Sequence, residues 1–159
     1  MIDELDKQIL QILQEDARIP NSDIAKKIGI VPSATAERIK KLVQRGVISG
    51  YDVRLDAKAL DLGLVAFVFV RADEPVNTCQ TALEMTALPQ VLEVHNIAGE
   101  DCYLVKVRVR DTEALGQFLR DKLGAIKTVR NTRTVIALET FKENGPLPLS
   151  ELPSGKVND

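Results

Sequence analysis

The sequence predicts an α+β fold with two parts, a helical N-terminal region and a C-terminal region in which strands and helices alternate. In the first 50 residues, apolar side chains recur at spacings of three and four, which is typical of amphipathic helices. From residue 64 onwards, the apolar run LVAFVFVR and the alternating run CYLVKVRVR predict strands. This change of period divides the chain into a helical domain at 1–50, a linker at 51–63, a mixed domain at 64–142 and a flexible polar tail at 143–159.

The first predicted helix covers residues 3–16. Its apolar positions repeat at helical spacing, and Asp3, Glu4 and Asp6 in its first turn complement the helix dipole. Pro20 interrupts the chain before the next helix begins.

Residues 21–48 predict two short helices joined by a tight turn. We expect Ser22 to cap the first helix, because its hydroxyl oxygen accepts a hydrogen bond from a free backbone amide. Gly29 ends this helix, since glycine enters the left-handed region without a steric penalty, and Pro32 suits the first position of the next helix.

The segment after the second helix completes the N-terminal domain. Gly46 ends that helix, and the β-rich residues 47–55 predict a short strand or wing. A helical turn is expected within the linker, near residues 57–60. We therefore predict an N-terminal winged helix-turn-helix.

The second helix of the pair has two unlike faces. Its apolar face consists of Thr35, Ile39, Leu42 and Val43. The opposite face is short-polar and basic, as a helix in a DNA major groove requires, because the tip meets base edges and the cations meet phosphates. A solvent-exposed amphipathic helix of any small bundle has the same spacing, so this alternative stays open.

The distribution of charge favours the DNA interpretation. Residues 22–54 contain seven Lys or Arg and three Asp or Glu, a local net charge of +4, in a chain with a net charge of −2 and a pI of about 5.5. A basic patch on an acidic protein is the electrostatic footprint expected of a local DNA-binding surface.

The mixed domain has the element order β-α-β-β-α-β. Strands are expected at 64–71, 91–98, 102–110 and 127–141, and helices at 74–87 and 111–124. The inward positions of the first helix are predicted to be Cys79, Ala82, Leu83 and Leu88. This order is that of the ferredoxin-like fold, an antiparallel sheet with both helices on one face. Residues such as Phe67, Phe69 and Val105 would leave the other face apolar, so we expect a partner subunit to cover it.

Several classes of function are disfavoured. The acidic start of the chain does not resemble a signal peptide, the apolar run at 62–70 is too short to span a membrane, and we expect a cytoplasmic protein. The two cysteines have no metal-ligand spacing and His95 is the only histidine, so we expect no metal and no cofactor. His95 is expected to be a packed or hydrogen-bonded strand residue.

The chain resembles the Lrp/AsnC (leucine-responsive, "feast/famine") transcription factors over about residues 2–142. The resemblance depends on LDKQILQILQEDAR, IAKKIGIVPSATAERIKKLVQRGVISGY, AGEDCYLVKVRV and TRTVIALE. It implies a sequence-specific regulator of transcription that binds double-stranded DNA and a small effector, commonly an amino acid, and that forms homodimers assembling further, typically into octamers. The alternatives are a low-specificity nucleoid-organising protein and a haem-pathway decarboxylase of the same fold; we expect a non-enzyme.

The resemblance also implies which residues contact DNA. Ser33 and Ala34 match the positions that meet base edges, and Glu37 either accepts a hydrogen bond from cytosine or is a solvated carboxylate. Phosphate contacts are expected from cations of the same helix, and the full expected set is Ser22, Ser33, Ala34, Glu37, Arg38, Lys40 and Lys41.

Effector binding in this family uses the turn after the second strand of the ferredoxin-like domain, together with neighbouring strands. Here the turn contains Gly99, Glu100 and Asp101, and Thr132 and Thr134 match polar positions of the last strand. Backbone amides of the turn would hold a carboxylate, and an acidic side chain would hold an α-ammonium group. A plain hairpin turn with two solvated acids is the alternative.

Two positions depart from the family pattern. Val31 replaces the small polar residue that usually precedes the proline of the recognition helix, and valine cannot cap. The usual Gly-x-(aromatic)-Asp of the effector turn reads Gly-Glu-Asp-Cys from Gly99, so the aromatic residue and the acid are displaced.

Overall fold

The structure, a computed structural model, describes residues 2–75 and 78–152. The residues up to Arg54 form one unit together with the C-terminal segment that begins at Lys142, and the residues from Leu55 to Phe141 form a second unit. The segment after Phe141 therefore belongs to the same unit as the N-terminal helices.

Three helices form the N-terminal unit: α1 (Glu4–Glu15), α2 (Asn21–Ile28) and α3 (Pro32–Gln44). Gly29 ends α2 with a left-handed φ of 74°, and Pro32 is the first residue of α3, both as predicted. The fully buried residues Ile9, Ile24 and Leu42 come one from each helix, so the three helices share one apolar core.

Three local predictions in this unit are wrong. Ser22 does not cap α2, because the helix begins at Asn21; its N-cap is Pro20, which has no side chain able to accept a hydrogen bond. Residues 47–48 form bends and residues 49–55 have no regular structure, so of the predicted short strand or wing the strand is wrong. None of the described strands pairs with this segment to complete a ladder. Val43, predicted to face inward, is 45% exposed.

Four strands form the sheet of the second unit: β1 (Leu64–Ala72), β2 (Val91–Asn96), β3 (Tyr103–Val109) and β4 (Val129–Ala137). Their order is β2-β3-β1-β4, with every neighbouring pair antiparallel. Helix α4 (Gln80–Thr86) joins β1 to β2, and α5 (Thr112–Gln117), extended by the π-helical turn Phe118–Leu123, joins β3 to β4. This order confirms the predicted ferredoxin-like fold.

The strand register decides which side chains face the helices. Val68 lies opposite Val105, and both are fully buried in a cluster with Met85 of α4 and Leu115 of α5. Val105 therefore faces the helices, and its predicted place on the uncovered face is wrong. Phe67 and Phe69, which alternate with Val68, lie on that uncovered face and are half-buried.

Helix α4 begins later than the sequence predicts. It starts at Gln80 rather than near residue 74, and residues 76–77 of the predicted helix lie outside the described residues. Ala82 and Leu88 pack against the core as predicted, and Thr81 and Met85 are buried with them. Cys79 is exposed and Leu83 is 60% exposed, so their predicted inward positions are wrong.

The C-terminal segment does not match a flexible tail over its described length. Residues Leu149–Glu151 form a 3₁₀ turn, and Leu149 packs against the apolar core shared by the three N-terminal helices. Burial of an apolar side chain holds this stretch in place. Residues 153–159 of the predicted tail lie outside the described residues.

Candidate nucleic-acid interface and effector site

Helix α3 presents one polar face to solvent. Ser33, Glu37, Lys40 and Lys41 are exposed and lie along one side of the helix, and Ala34 beside them is half-buried. Thr35 and Leu42 on the opposite side are buried against the domain, and the Thr35 hydroxyl donates to the Val31 carbonyl at 3.4 Å. The helix therefore presents its short side chains and two lysines together, as the DNA interpretation requires.

The N-terminal end of α3 is electrostatically favourable for binding an anion such as a DNA phosphate. The first turn of this helix contains no acidic residue, so no carboxylate offsets the positive end of the helix dipole. Glu37 and Lys41 form an exposed ion pair at 3.8 Å, which contributes little and leaves both side chains able to reorient toward DNA.

Arg38 differs from the other predicted DNA-binding residues. Its Nη1 atom lies 2.7 Å from Asp3 Oδ2 and 2.7 Å from Asp6 Oδ1, so the guanidinium points toward the start of α1. Burial would raise the pKa of the Asp3 carboxyl, but the Asp6 amide and the Arg38 guanidinium together hold that pKa below its usual range. The same two carboxylates raise the pKa of Arg38. The expected phosphate contact by Arg38 would require these bonds to break.

The predicted effector turn connects β2 to β3. Gly99 has a φ of 144°, a backbone conformation that favours glycine. The turn is fixed to β1, because Cys102 N–H donates to the Val70 carbonyl at 2.9 Å and Arg71 Nε donates to the Glu100 carbonyl at 3.1 Å. The Glu100 side chain is exposed and Asp101 is half-buried.

A charged group on the uncovered sheet face joins this turn to β4. Arg133 Nη2 lies 3.5 Å from Asp101 Oδ2, and the Arg133 guanidinium stacks over the Phe69 ring at 3.9 Å from its centroid. Thr132 and Thr134 lie opposite Val70 and Val68, so their side chains point to the helix-covered face. Within one chain, the structure therefore brings Asp101 together with Arg133 rather than with the two threonines.

A second group of polar side chains, Glu74, Tyr103 and Thr81, connects the strand that follows the effector turn to helix α4. Tyr103 donates to Glu74 Oε1 at 2.5 Å, and Thr81 N–H donates to Glu74 Oε2 at 3.1 Å, so one carboxylate connects β3 to the start of α4. The Glu74 carboxylate raises the pKa of Tyr103 to about 12. Burial would raise the pKa of Glu74, but the hydrogen bonds from Tyr103 and Thr81 lower it overall.

His95 lies on the uncovered face at the edge of the sheet. Its Nε2 is 3.3 Å from Glu93 Oε2, and Glu93 Oε1 also accepts from the buried Lys106 Nζ at 2.9 Å. Among the described residues no group of histidine, cysteine and acidic side chains is arranged to hold a metal ion. The same residues include no helix with the length and apolar character needed to cross a bilayer.

Comparison with known proteins identifies the family. The family model described as the Lrp/AsnC ligand binding domain matches residues 65–147, and a winged helix-turn-helix DNA-binding model matches residues 2–49. The chain belongs to the Lrp/AsnC family of transcriptional regulators. The HTH-type transcriptional regulator FL11 of Pyrococcus horikoshii is 36% identical over 93% of this chain and 97% of its own length.

Solved structures of Lrp/AsnC regulators have the same fold. A transcriptional regulator of Neisseria meningitidis in complex with L-methionine has a TM-score of 0.88 and 28% identity, covering 94% of this chain and 98% of that one. A feast or famine regulatory protein of Mycobacterium tuberculosis complexed with L-methionine has a TM-score of 0.84 and 30% identity, covering 91% and 97%. This Lrp/AsnC chain is a transcriptional regulator with a DNA-binding helix-turn-helix and a ligand-binding domain, and these relatives give no support to the nucleoid or decarboxylase alternatives.

The sequence alone missed three contributors to these Lrp/AsnC sites. The sequence pattern places Asp3 and Asp6 only beside the helix dipole, and it does not identify Arg133 as a site residue. Because successive side chains of a strand point to opposite faces of the sheet, Arg133 lies on the face opposite to Thr132 and Thr134. This alternation is a signal in the sequence that could have identified Arg133. The partners of Arg38 gave no signal, because they lie 35 and 32 residues away in sequence.

Proposed function

We propose that this Lrp/AsnC regulator reads double-stranded DNA with the exposed face of α3 and binds an amino acid at the Gly99 turn. Ser33, Ala34 and Glu37 contact base edges, and Lys40 and Lys41 contact phosphates. The protein acts in the cytoplasm as a homodimer that assembles further, to an octamer, and it contacts no membrane.

The observation that carries the DNA proposal is the division of α3 into a buried and an exposed side. Thr35 and Leu42 are 0% and 1% exposed, whereas Ser33, Glu37 and Lys41 are exposed. The buried side fixes the helix on its domain, so the exposed side is presented at a constant angle, which base recognition requires.

The effector proposal is supported by the turn and by two relatives. Both of the related structures described above are complexes with L-methionine, so an α-amino acid is the ligand class to test first. Gly99 leaves the backbone open, since no heavy atom beyond its two chain neighbours lies within 4 Å of the place a Cβ would occupy. Arg133 and Asp101 offer one cation and one anion, which complement the carboxylate and the ammonium group of an amino acid.

The homodimer proposal is supported by the uncovered sheet face. Phe67 and Phe69 of β1 and Val135 of β4 lie there in register, and Val135 is 46% exposed. A second copy of the sheet would bury these apolar side chains.

Titration calorimetry with L-methionine as the probe tests the effector assignment. We expect Asp101→Ala to weaken or abolish binding, and Glu113→Ala, which removes an exposed acid from the first turn of α5, to leave it unchanged. Equal binding by wild type and Asp101→Ala would contradict the assignment. If L-methionine does not bind the wild type, the other nineteen amino acids are titrated, and binding by none of them would refute the ligand class.

A further inference from the structure

Arg38 sits at the edge between the buried and exposed sides of α3. It lies one helical turn from Ala34 and one from the buried Leu42, and its side chain is 30% exposed. The Asp6 side chain that it contacts is only 10% exposed. A carboxylate with so little access to water requires a charged partner, and Arg38 is that partner.

The two carboxylates also cap α1. Asp6 N–H donates to Asp3 Oδ1 at 2.8 Å, and Asp3 N–H donates to Asp6 Oδ2 at 3.3 Å. The remaining oxygens, Asp3 Oδ2 and Asp6 Oδ1, both accept from Arg38 Nη1 at 2.7 Å. Every carboxylate oxygen of this group therefore has a partner, and the start of α1 is joined to the middle of α3 by charge-assisted bonds.

We propose that Arg38 is a positioning residue for DNA recognition and not a phosphate contact. Together with Asp3 and Asp6, which we call the acid pair, it fixes the rotation of α3 against α1. Ser33 and Glu37 on the adjacent face are then held at the angle needed to meet base edges. This inference rests on the proposed function of α3.

The two possible roles of Arg38 predict different dependence on salt. A phosphate contact releases counterions, so log K falls as log [salt] rises; the steepness of this fall is here called the salt slope. Loss of one phosphate contact lowers the salt slope by about 0.9 for duplex DNA. A positioning residue makes no such contact, and its loss reduces the preference for the recognised sequence while the slope stays the same.

The acid pair provides a test in which the sign of the effect is decisive. Removing a negative charge close to a DNA-binding surface ordinarily strengthens binding to any DNA. If the acid pair holds α3 in place through Arg38, removing that charge weakens binding to the recognised duplex instead. Asp3→Asn suits this test, because asparagine caps a helix as well as aspartate does and its amide oxygen still accepts from the Asp6 amide.

The experiment measures binding by fluorescence anisotropy at several salt concentrations. One duplex is selected from a random-sequence pool by the wild-type protein, and an unrelated duplex of equal length serves as the nonspecific competitor. The variants are Arg38→Gln, Asp3→Asn, Asp6→Asn and the double variant Arg38→Gln/Asp6→Asn, with Lys40→Gln as the matched control. Circular dichroism and thermal unfolding give the folded fraction of each variant, and each dissociation constant is calculated from the concentration of folded protein.

If Arg38 is a positioning residue, we expect Arg38→Gln and Asp3→Asn each to reduce the ratio of affinities for the selected and the unrelated duplex by about tenfold. This is the cost of losing one well-made base contact. The salt slope should stay unchanged. The double variant should bind no more weakly than Arg38→Gln alone, because both changes break the same interaction. Lys40→Gln should lower the slope by about 0.9 and leave the ratio intact.

A slope that falls by about 0.9 in Arg38→Gln would overturn the proposal, as would tighter binding of the selected duplex by Asp3→Asn. Because Asp3→Asn retains the cap, this outcome can be read even if Arg38→Gln does not fold. Failure of the underlying function has a different signature: the wild type would then select no duplex, and Lys40→Gln would leave the slope unchanged.

Discussion

Gln14 of α1 binds both backbone polar groups of Leu147, which lies 133 residues further along the chain. The Leu147 N–H donates to Gln14 Oε1 at 2.6 Å, and Gln14 Nε2 donates to the Leu147 carbonyl at 3.3 Å. Lys7 Nζ, two turns earlier on the same face of α1, donates to the Leu152 carbonyl at 3.2 Å. The chain thus leaves the N-terminal unit after Arg54 and returns to it at Lys142, so the helix-turn-helix is completed by the C-terminal segment.

The first prediction concerns this returning segment. Leu149→Ala should lower the free energy of unfolding of the N-terminal unit by about 1–2 kcal/mol, less than for a fully buried leucine because Leu149 is only half-buried. Denaturant unfolding followed by circular dichroism measures the change. Leu147→Ala is the matched control, because its side chain is 72% exposed and its bonds to Gln14 use backbone atoms. Equal stability of the Leu149 variant and wild type would mean that the segment does not contribute to the fold.

The second prediction concerns the carboxylate shared by Tyr103 and Thr81. Tyr103→Phe should lower stability near pH 7 by about 1.5–3 kcal/mol, the range for a hydrogen bond to a charged group. The folded-state pKa of Glu74 is depressed, so its contribution is present above the ordinary value of 4.5 and is lost as pH falls through the folded-state pKa. Glu74→Gln should therefore lose less stability than wild type between neutral and acid pH. Parallel stability curves for the two proteins across this interval would contradict the assignment.

The third prediction concerns the start of α3. Val31 is the N-cap residue, with φ −81° and ψ 148°, and it makes no side-chain cap hydrogen bond. Val31→Ser should raise stability by about 1 kcal/mol, because a hydroxyl oxygen accepts from a free amide of the first turn. The valine side chain is 61% exposed, so little apolar contact is lost. Val31→Ala lacks the acceptor and is the control; if serine and alanine give the same melting temperature, the start of α3 does not need a cap.

The fourth prediction concerns the uncovered sheet face. Phe67→Glu should shift the mass measured by light scattering from a multiple of the dimer to that of a monomer, because a carboxylate would be buried between the two sheets. Leu83→Glu is the control, since Leu83 is 60% exposed on α4, on the covered side of the sheet. A wild-type monomer, or a Phe67 variant with the wild-type mass, would contradict assembly through this face.

Periodicity predicted the order of the elements, because each strand and helix has its own local pattern. The alternation of Tyr103, Val105 and Val107 is the pattern of a strand with one buried face, and the structure has that strand. Periodicity could not say which face of the sheet the helices cover. Val105 was therefore assigned to the wrong face, since only its register with Val68 determines the side.

The functional surfaces were predictable to the extent that they follow from one helix or one turn. The exposure of Ser33, Glu37 and Lys41 follows from the apolar spacing of α3 alone. The partners of Arg38 and of Asp101 depend on contacts between elements distant in sequence, and no spacing rule identifies them. The return of Leu149 to the N-terminal core is of the same kind, because a single leucine in a polar segment carries no periodic signal.

Effector-dependent DNA recognition is tested by binding of the wild-type protein to DNA in the presence and absence of amino acids. A duplex selected from a random pool and an unrelated duplex are titrated by fluorescence anisotropy, first alone and then with each of the twenty amino acids, beginning with L-methionine. We predict a preference for the selected duplex of at least about 10³-fold, and a shift of that binding by one or a few related amino acids. Equal affinity for the two duplexes, with no response to any amino acid, would contradict both the reading of DNA by α3 and the binding of an effector at the Gly99 turn.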